Sequence, residues 1–190
     1  MSEFEFIMVL VSVIMGLGIT AILDGTVSAL RADTPTKPGL IHGLWVLALF
    51  LFSVQLWLLR WRVSTRPGWT LLEVLAFLYV PIVLFALAKL IFPAKGREVQ
   101  LTTYLLENRR AFFGLWAALY VGFAFYPILF SEGAVTDASA TYDPRIMLTF
   151  IPLFGLLAWS SNRKLHVVFG LLWVVLGVAG FFFQDAGFSG

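Results

Sequence analysis

Six stretches of hydrophobic residues, separated by short polar segments, form the main pattern along this chain. They cover about residues 5–30, 40–59, 69–92, 111–130, 145–160 and 165–184. A helix needs about 20 apolar residues to cross the hydrocarbon core of a bilayer, and only the fifth stretch is clearly shorter. Because apolar residues do not alternate with polar ones, the pattern favours helices over the strands of a membrane β-barrel. It predicts an all-α, polytopic membrane protein, a single integral domain with a bundle of about six transmembrane helices.

Composition agrees with a protein embedded in a lipid bilayer. Of the 190 residues, 60% are hydrophobic and 13% are charged, against about 25% charged in an average soluble domain. The mean hydropathy is +0.91. A net charge of only +2 gives little support to nucleic-acid binding. The chain has no cysteine, which excludes disulfides and thiolate chemistry.

The distribution of lysine and arginine predicts the orientation of the bundle, because cytoplasmic segments are enriched in these residues. Alternate connections hold nine on one side and four on the other. The nine, which we expect to be cytoplasmic, are Arg31, Lys37, Lys89, Lys95, Arg97, Arg109, Arg110, Arg163 and Lys164. The four are Arg60, Arg62, Arg66 and Arg145. Both termini are therefore predicted to lie outside.

The stretch GLGITAILDG, residues 16–25, ends the first apolar run with an aspartate. Small and polar residues recur at every fourth position there, namely Ser12, Gly16, Thr20, Asp24 and Ser28. Positions four apart share one helix face, and small residues allow close helix approach in membranes. We therefore expect this face to pack inside the bundle.

Asp24 then needs a partner near the cytoplasmic end, where a charge facing lipid is unfavourable. Together with its possible partners, Asp24 forms a predicted ring of ligand or ion-pair residues at that end. The ring consists of Asp24, His42, Lys89, Asn108, Arg109, Arg110, Arg163 and His166. Three interpretations stay open. The ring is a set of structural ion pairs and helix-end hydrogen bonds, a site for anionic lipid or phosphate, or a proton-coupled site that uses Asp24 and His42.

Other chemistry has weaker support. No catalytic residues and no metal site are predicted, because the sequence has neither a nucleophile motif such as GxSxG nor a zinc motif. No cofactor is predicted, although a b-type haem held by His42 and His166 is an alternative. Gln55 and Glu73 are polar candidates toward the outer side, either as hydrogen-bonding groups between helices or as one wall of a polar pathway.

Tryptophan and tyrosine fall near many of the predicted span ends. Trp45, Trp57, Trp116 and Trp159 are examples. An apolar ring with a polar tip is typical of the membrane–water interface. We therefore interpret most of these residues as an interfacial belt and as packing.

Four short strings carry a resemblance. They are GLGIT near the start, HGLW at the start of the second stretch, QLW later in it, and ENRRAFFG before the fourth. Together they resemble a group of uncharacterised bacterial multi-pass inner-membrane proteins. The resemblance implies a location in the bacterial inner membrane and no activity, substrate or site.

Three classes of function remain after these observations. The first is a small accessory or structural membrane protein that binds other helices or anionic lipid, in a homo-oligomer or a larger membrane complex. The second is a small oligomeric transporter or channel coupled through Asp24 and His42. The third is a membrane redox or lipid-modifying protein. The sequence leaves enzymatic activity open and favours its absence.

Overall fold

A computed structural model of the chain describes residues 2–31, 39–60, 68–94, 99–129 and 144–183. These residues form seven helices and no strand. The helices are α1 (Glu3–Leu30), α2 (Leu40–Leu59), α3 (Leu71–Leu90), α4 (Leu101–Glu107), α5 (Arg109–Leu129), α6 (Pro144–Trp159) and α7 (Arg163–Phe183). The all-α prediction is confirmed, and the six longer helices begin and end within two residues of the predicted stretches. The short helix α4 was not predicted.

Four of these helices are long and apolar enough to cross a membrane. They are α1, α2, α3 and the part of α7 from Arg163 to Phe182, whereas α6 is a shorter apolar helix. This length and composition give the protein its transmembrane character. Five of the residues that predict the orientation lie outside the described residues: Lys37, Arg62, Arg66, Lys95 and Arg97.

Side-chain caps define where several helices begin. Ser2 and Glu5 form a reciprocal capping box at the start of α1, and Thr70 and Glu73 form another at the start of α3. The Asn162 side chain accepts a hydrogen bond from the Lys164 backbone N–H, which caps α7. Each cap satisfies backbone donors that have no partner within the helix, so it fixes the first residue of the helix.

Glycines allow two pairs of helices to pack closely in parallel. On α1, Gly18 lies against Phe85 of α3, and a Cβ at Gly25 would overlap the ring of Phe92 just after α3. Positions on both helices increase together, so α1 and α3 run in the same direction. In the same way, Gly170 and Gly177 of α7 lie against Leu44 and Leu51 of α2. The second pair is therefore parallel as well.

An aromatic cluster joins α2, α5, α6 and α7 in the middle of the bundle. Trp116 of α5 stacks on Phe154 of α6 with ring centroids 5.3 Å apart, and Trp173 of α7 lies edge-on to Phe154 at 4.8 Å. The members are Trp45, Phe52, Phe112, Phe113, Trp116, Tyr120, Phe123, Phe150, Phe154 and Trp173. Trp45 and Trp116 are completely buried. These two tryptophans belong to the core and not to the interfacial belt that their positions suggest.

The side-chain contacts between the described helices show which helix ends lie at the same end of the bundle. Trp57 of α2 donates to Ser12 of α1, whereas His42 and Ile22 line one groove, so these two helices are antiparallel. We call the end at which α1, α3 and α6 end and α2, α5 and α7 begin the basic end. Its described cations are Arg31, Lys89, Arg109, Arg110, Arg163 and Lys164.

The buried face of α1 differs from the predicted one. The buried residues are Phe4, Ile7, Val11, Met15, Gly18 and Ile22. Gly16, Thr20 and Asp24 are exposed on the outside of the bundle, so the expectation that they pack inside it is wrong. The line through Gly18 and Gly25 already provides the close approach to α3. Because lipid is as apolar as the bundle interior, no hydrophobic force draws a second small-residue face inward.

Candidate functional site

The basic end collects every residue of the predicted ring at one end of the bundle, but in different surroundings. His42 and His166 are buried, and Asn108 and Arg109 are half-buried. The exposed members are Asp24, Lys89, Arg110 and Arg163. The ring is therefore two buried imidazoles inside the bundle with charges on its outer surface.

His42 connects the first three helices. It is the third residue of α2, and its Nε2 donates a hydrogen bond to the carbonyl of Ile91 at the end of α3, over 2.9 Å. Its ring lies edge-on to Phe92, with centroids 5.1 Å apart. Because Phe92 also covers Gly25 of α1, this small contact set ties α1, α2 and α3 together at the basic end.

His166 makes an equivalent contact at the start of α7. Its Nε2 donates to the carbonyl of Ser160 over 2.9 Å, and its ring packs on Phe113 of α5 at 5.1 Å. A neutral imidazole that donates through Nε2 keeps an acceptor lone pair on Nδ1. That atom is buried without a hydrogen-bond partner in the part of the chain that the structure describes.

The string ENRR forms the junction between α4 and α5. Asn108 is the turn residue between the two helices, and its Nδ2 donates to the Tyr104 carbonyl over 2.9 Å. Arg109 Nη1 donates to the carbonyl of Leu106 over 2.7 Å. Arg110 lies 5.3 Å from the ring centre of Trp159 at the end of α6. These contacts hold the α4–α5 junction and join the start of α5 to the end of α6.

Asp24 and Lys89 lie apart from these buried contacts. Both side chains are exposed, and neither has a hydrogen-bond or ion-pair partner among the residues that the structure describes. His42 is 2% exposed and bonded to Ile91. Within the same residues, the structure therefore does not join Asp24 to His42.

An apolar groove of about 320 Å³ opens between α1 and α2 next to His42. Its lining residues are Ile22, Leu23, Thr26, Ala29, Leu30, His42, Gly43, Val46, Leu47, Phe50, Phe92 and Leu101. The Thr26 hydroxyl donates to the Ile22 carbonyl over 2.7 Å, so the groove has almost no free polar group. Thr26, Gly43 and Phe92 in this lining were not predicted from the sequence. The one sequence feature that could have indicated this groove is the glycine that follows His42 in HGLW, which the structure shows to be exposed.

The two outer-side candidates have structural roles. The Gln55 amide donates to the carbonyl of Gly177 on α7 over 2.6 Å, and Gly180 leaves room for that amide. Glu73 accepts from the Thr70 backbone N–H over 2.7 Å in its capping box. Gln55 therefore holds α2 to α7, and Glu73 fixes the start of α3.

Cofactor chemistry has little geometric support within the described residues. They contain no group of three His, Cys, Asp or Glu side chains that could hold a metal ion. The Nε2 atom of each imidazole donates a hydrogen bond to a backbone carbonyl. A haem between His42 and His166 would therefore have to break those hydrogen bonds or bind through Nδ1. The haem alternative stays a prediction.

The site as a whole is a basic end with two buried histidines, a lateral apolar groove, an exposed acid and an exposed base. None of these arrangements is specific to one reaction. No family model, no curated protein and no solved structure matches the chain.

Proposed function

We propose that this protein is a small accessory or structural membrane protein whose role is to bind other transmembrane helices. The observation that carries the proposal is the exposed carboxylate of Asp24 on α1, a helix long and apolar enough to span a membrane. An acid on a lipid-facing helix surface is unfavourable unless another group covers it. Gly16 and Thr20 precede it on the same surface and would allow a partner helix to approach.

The interior polar groups support a binding role over a transport path. Gln55, His42 and Tyr79 each donate to a backbone carbonyl of a neighbouring segment. Such bonds hold helices together and leave these groups unavailable to line a continuous aqueous route. The same observation favours a structural protein over a redox or lipid-modifying enzyme.

The proposal includes six crossings of the bacterial inner membrane with both termini outside. The parallel pairs α1–α3 and α2–α7 support it, because two parallel spanning helices must have an odd number of crossings between them, here one and three. The excess of described cations at the basic end supports a cytoplasmic position for that end. The exposed side chains of Arg110 and Arg163 there would also contact anionic headgroups.

Native mass spectrometry of protein gently extracted from its own membranes tests the binding role. We expect the wild-type chain to carry an additional polypeptide mass, either a different chain or a second copy. Asp24→Asn should lose most of that mass, and Arg163→Gln, an exposed change at the same bundle end, should retain it. A wild-type protein that appears as a single chain, with or without lipid, would contradict the proposal.

A further inference from the structure

Two opposite charges lie at nearly the same depth on the α1–α3 pair. The helices are parallel, and Gly18 lies opposite Phe85 with the same offset as Gly25 opposite Phe92. Asp24 is therefore level with residue 91, and Lys89 is level with residue 22. The two charges differ by two residues, or about 3 Å along the helix axes.

Both side chains also lie on the same outer side of this pair. Successive residues turn by about 100° around a helix. Asp24 comes just before Gly25, which faces α3, and Lys89 comes just after Ala88, which faces α1. One step back from Gly25 and one step forward from Ala88 are rotations of opposite sense. Because Gly25 and Ala88 each face the other helix and the helices are parallel, both steps bring the side chain to the same side of the pair, where Asp24 and Lys89 lie. Both are exposed there.

The face is incomplete in a single chain. Neither Asp24 nor Lys89 has a partner among the described residues, although they lie on adjacent helices. Charged side chains within membrane segments are rare and pair with one another or face water. An acid and a base that are both exposed on adjacent apolar helices, with no partner in the described parts of the chain, therefore indicate a surface that another protein covers.

We propose that a second copy of this chain covers the α1–α3 face and forms a two-fold dimer. Asp24 of each copy pairs with Lys89 of the other. The inference rests on the proposed function, because it names the helices that α1 binds. A two-fold interface is self-complementary, so residue i contacts residue j and j contacts i. With its axis along the membrane normal, such an interface pairs residues of similar depth, and Asp24 and Lys89 differ in depth by only about 3 Å.

Charge complementarity favours a second copy over an unrelated helix. The face already contains both the acid and the base that its partner must supply, at the matching depth. An unrelated partner would need its own base opposite Asp24 and its own acid opposite Lys89. A copy that presented α1 directly to α1 would instead bring the two Asp24 carboxylates together, which like-charge repulsion disfavours.

Charge reversal with differently tagged copies tests the pairing. Asp24→Lys and Lys89→Asp each place like charges in both contacts of a homodimer. Capture of one tagged copy by another should fall about tenfold or more for each variant alone. Co-expression of the two variants restores both opposite-charge contacts, so mixed capture should return to about the wild-type level. Lys164→Asp reverses an exposed charge elsewhere at the basic end and should leave capture unchanged.

Three results would overturn the dimer. Wild-type copies that do not capture each other would exclude it. Reversal variants that lose capture but do not recover on mixing would show that the charges act within one chain or in folding. A chain with both reversals again has opposite charges in both contacts of a homodimer, so a failure of that chain to dimerise would also exclude the proposed pairing. If native mass spectrometry then shows a different polypeptide that Asp24→Asn releases, the proposed function stands and the dimer alone fails.

Discussion

Gly25 offers the sharpest test of how α1 is held against α3. A Cβ at this position would overlap the ring of Phe92, and Phe92 in turn contacts His42. Gly25→Ala therefore forces the Phe92 ring away from the imidazole. Gly16 lies on the same helix, and a Cβ there meets nothing within 4 Å. The same substitution at Gly16 is thus a matched control.

Two opposing effects set the magnitude. Alanine favours a helix over glycine by about 1 kcal/mol. Overpacking a well-filled site costs about 1–3 kcal/mol. We expect Gly25→Ala to lower the free energy of unfolding by about 1 kcal/mol net. Gly16→Ala should leave it unchanged or raise it by up to about 1 kcal/mol.

Equilibrium unfolding in mixed detergent micelles, titrated with SDS, measures both variants. The critical comparison adds Phe92→Ala, which removes the ring that Gly25 accommodates. In that background Gly25→Ala should no longer destabilise, giving a coupling energy of about 1–3 kcal/mol. Equal effects at Gly16 and Gly25, or additive effects of Gly25→Ala and Phe92→Ala, would refute this account of the contact.

Two further predictions concern the seam between α2 and α7 and the membrane topology. Gln55→Leu should lower the free energy of unfolding by about 0.6–1.7 kcal/mol, because it removes a hydrogen bond between helices, and Gly180→Ala should destabilise only while Gln55 is present. An SDS titration that gives equal effects of Gly180→Ala in both backgrounds would contradict this. Since the chain has no cysteine, Ser2→Cys should react with an impermeant thiol reagent on intact spheroplasts and Ser161→Cys only after lysis. The reverse labelling would invert the proposed orientation.

The longer helices could be predicted from the sequence because the thickness of a bilayer sets the length of a helix that crosses it. A helix that crosses a bilayer must hold about 20 apolar residues, as four of these helices do, so polar segments mark its ends. The seven-residue helix α4 has no such requirement and could not be found in this way. Trp116 shows a related limit, because a tryptophan near a span end suits an interface as well as an aromatic core.

The sequence predicted only part of the candidate site. The sequence placed His42 and His166 correctly at the starts of two helices at the same end of the bundle. Their hydrogen-bond acceptors are the backbone carbonyls of Ile91 and Ser160. Because every residue has a backbone carbonyl, the residue type gives no indication of which carbonyl accepts. The outward position of Asp24 was missed because small and polar residues suit a partner helix outside the bundle as well as one within it.

The parallel packing of α2 and α7 has a consequence for biosynthesis. The amide of Gln55 bonds to the carbonyl of Gly177, which lies 122 residues later in the chain. At about 5–20 residues per second, the ribosome needs on the order of 10 s to supply that acceptor after α2 has been made. During this interval α2 must reside in the membrane with its amide unsatisfied, or be held by the insertion machinery. The seam between α2 and α7 is consequently the last to close, so a nascent chain released before α7 would remain open along this line.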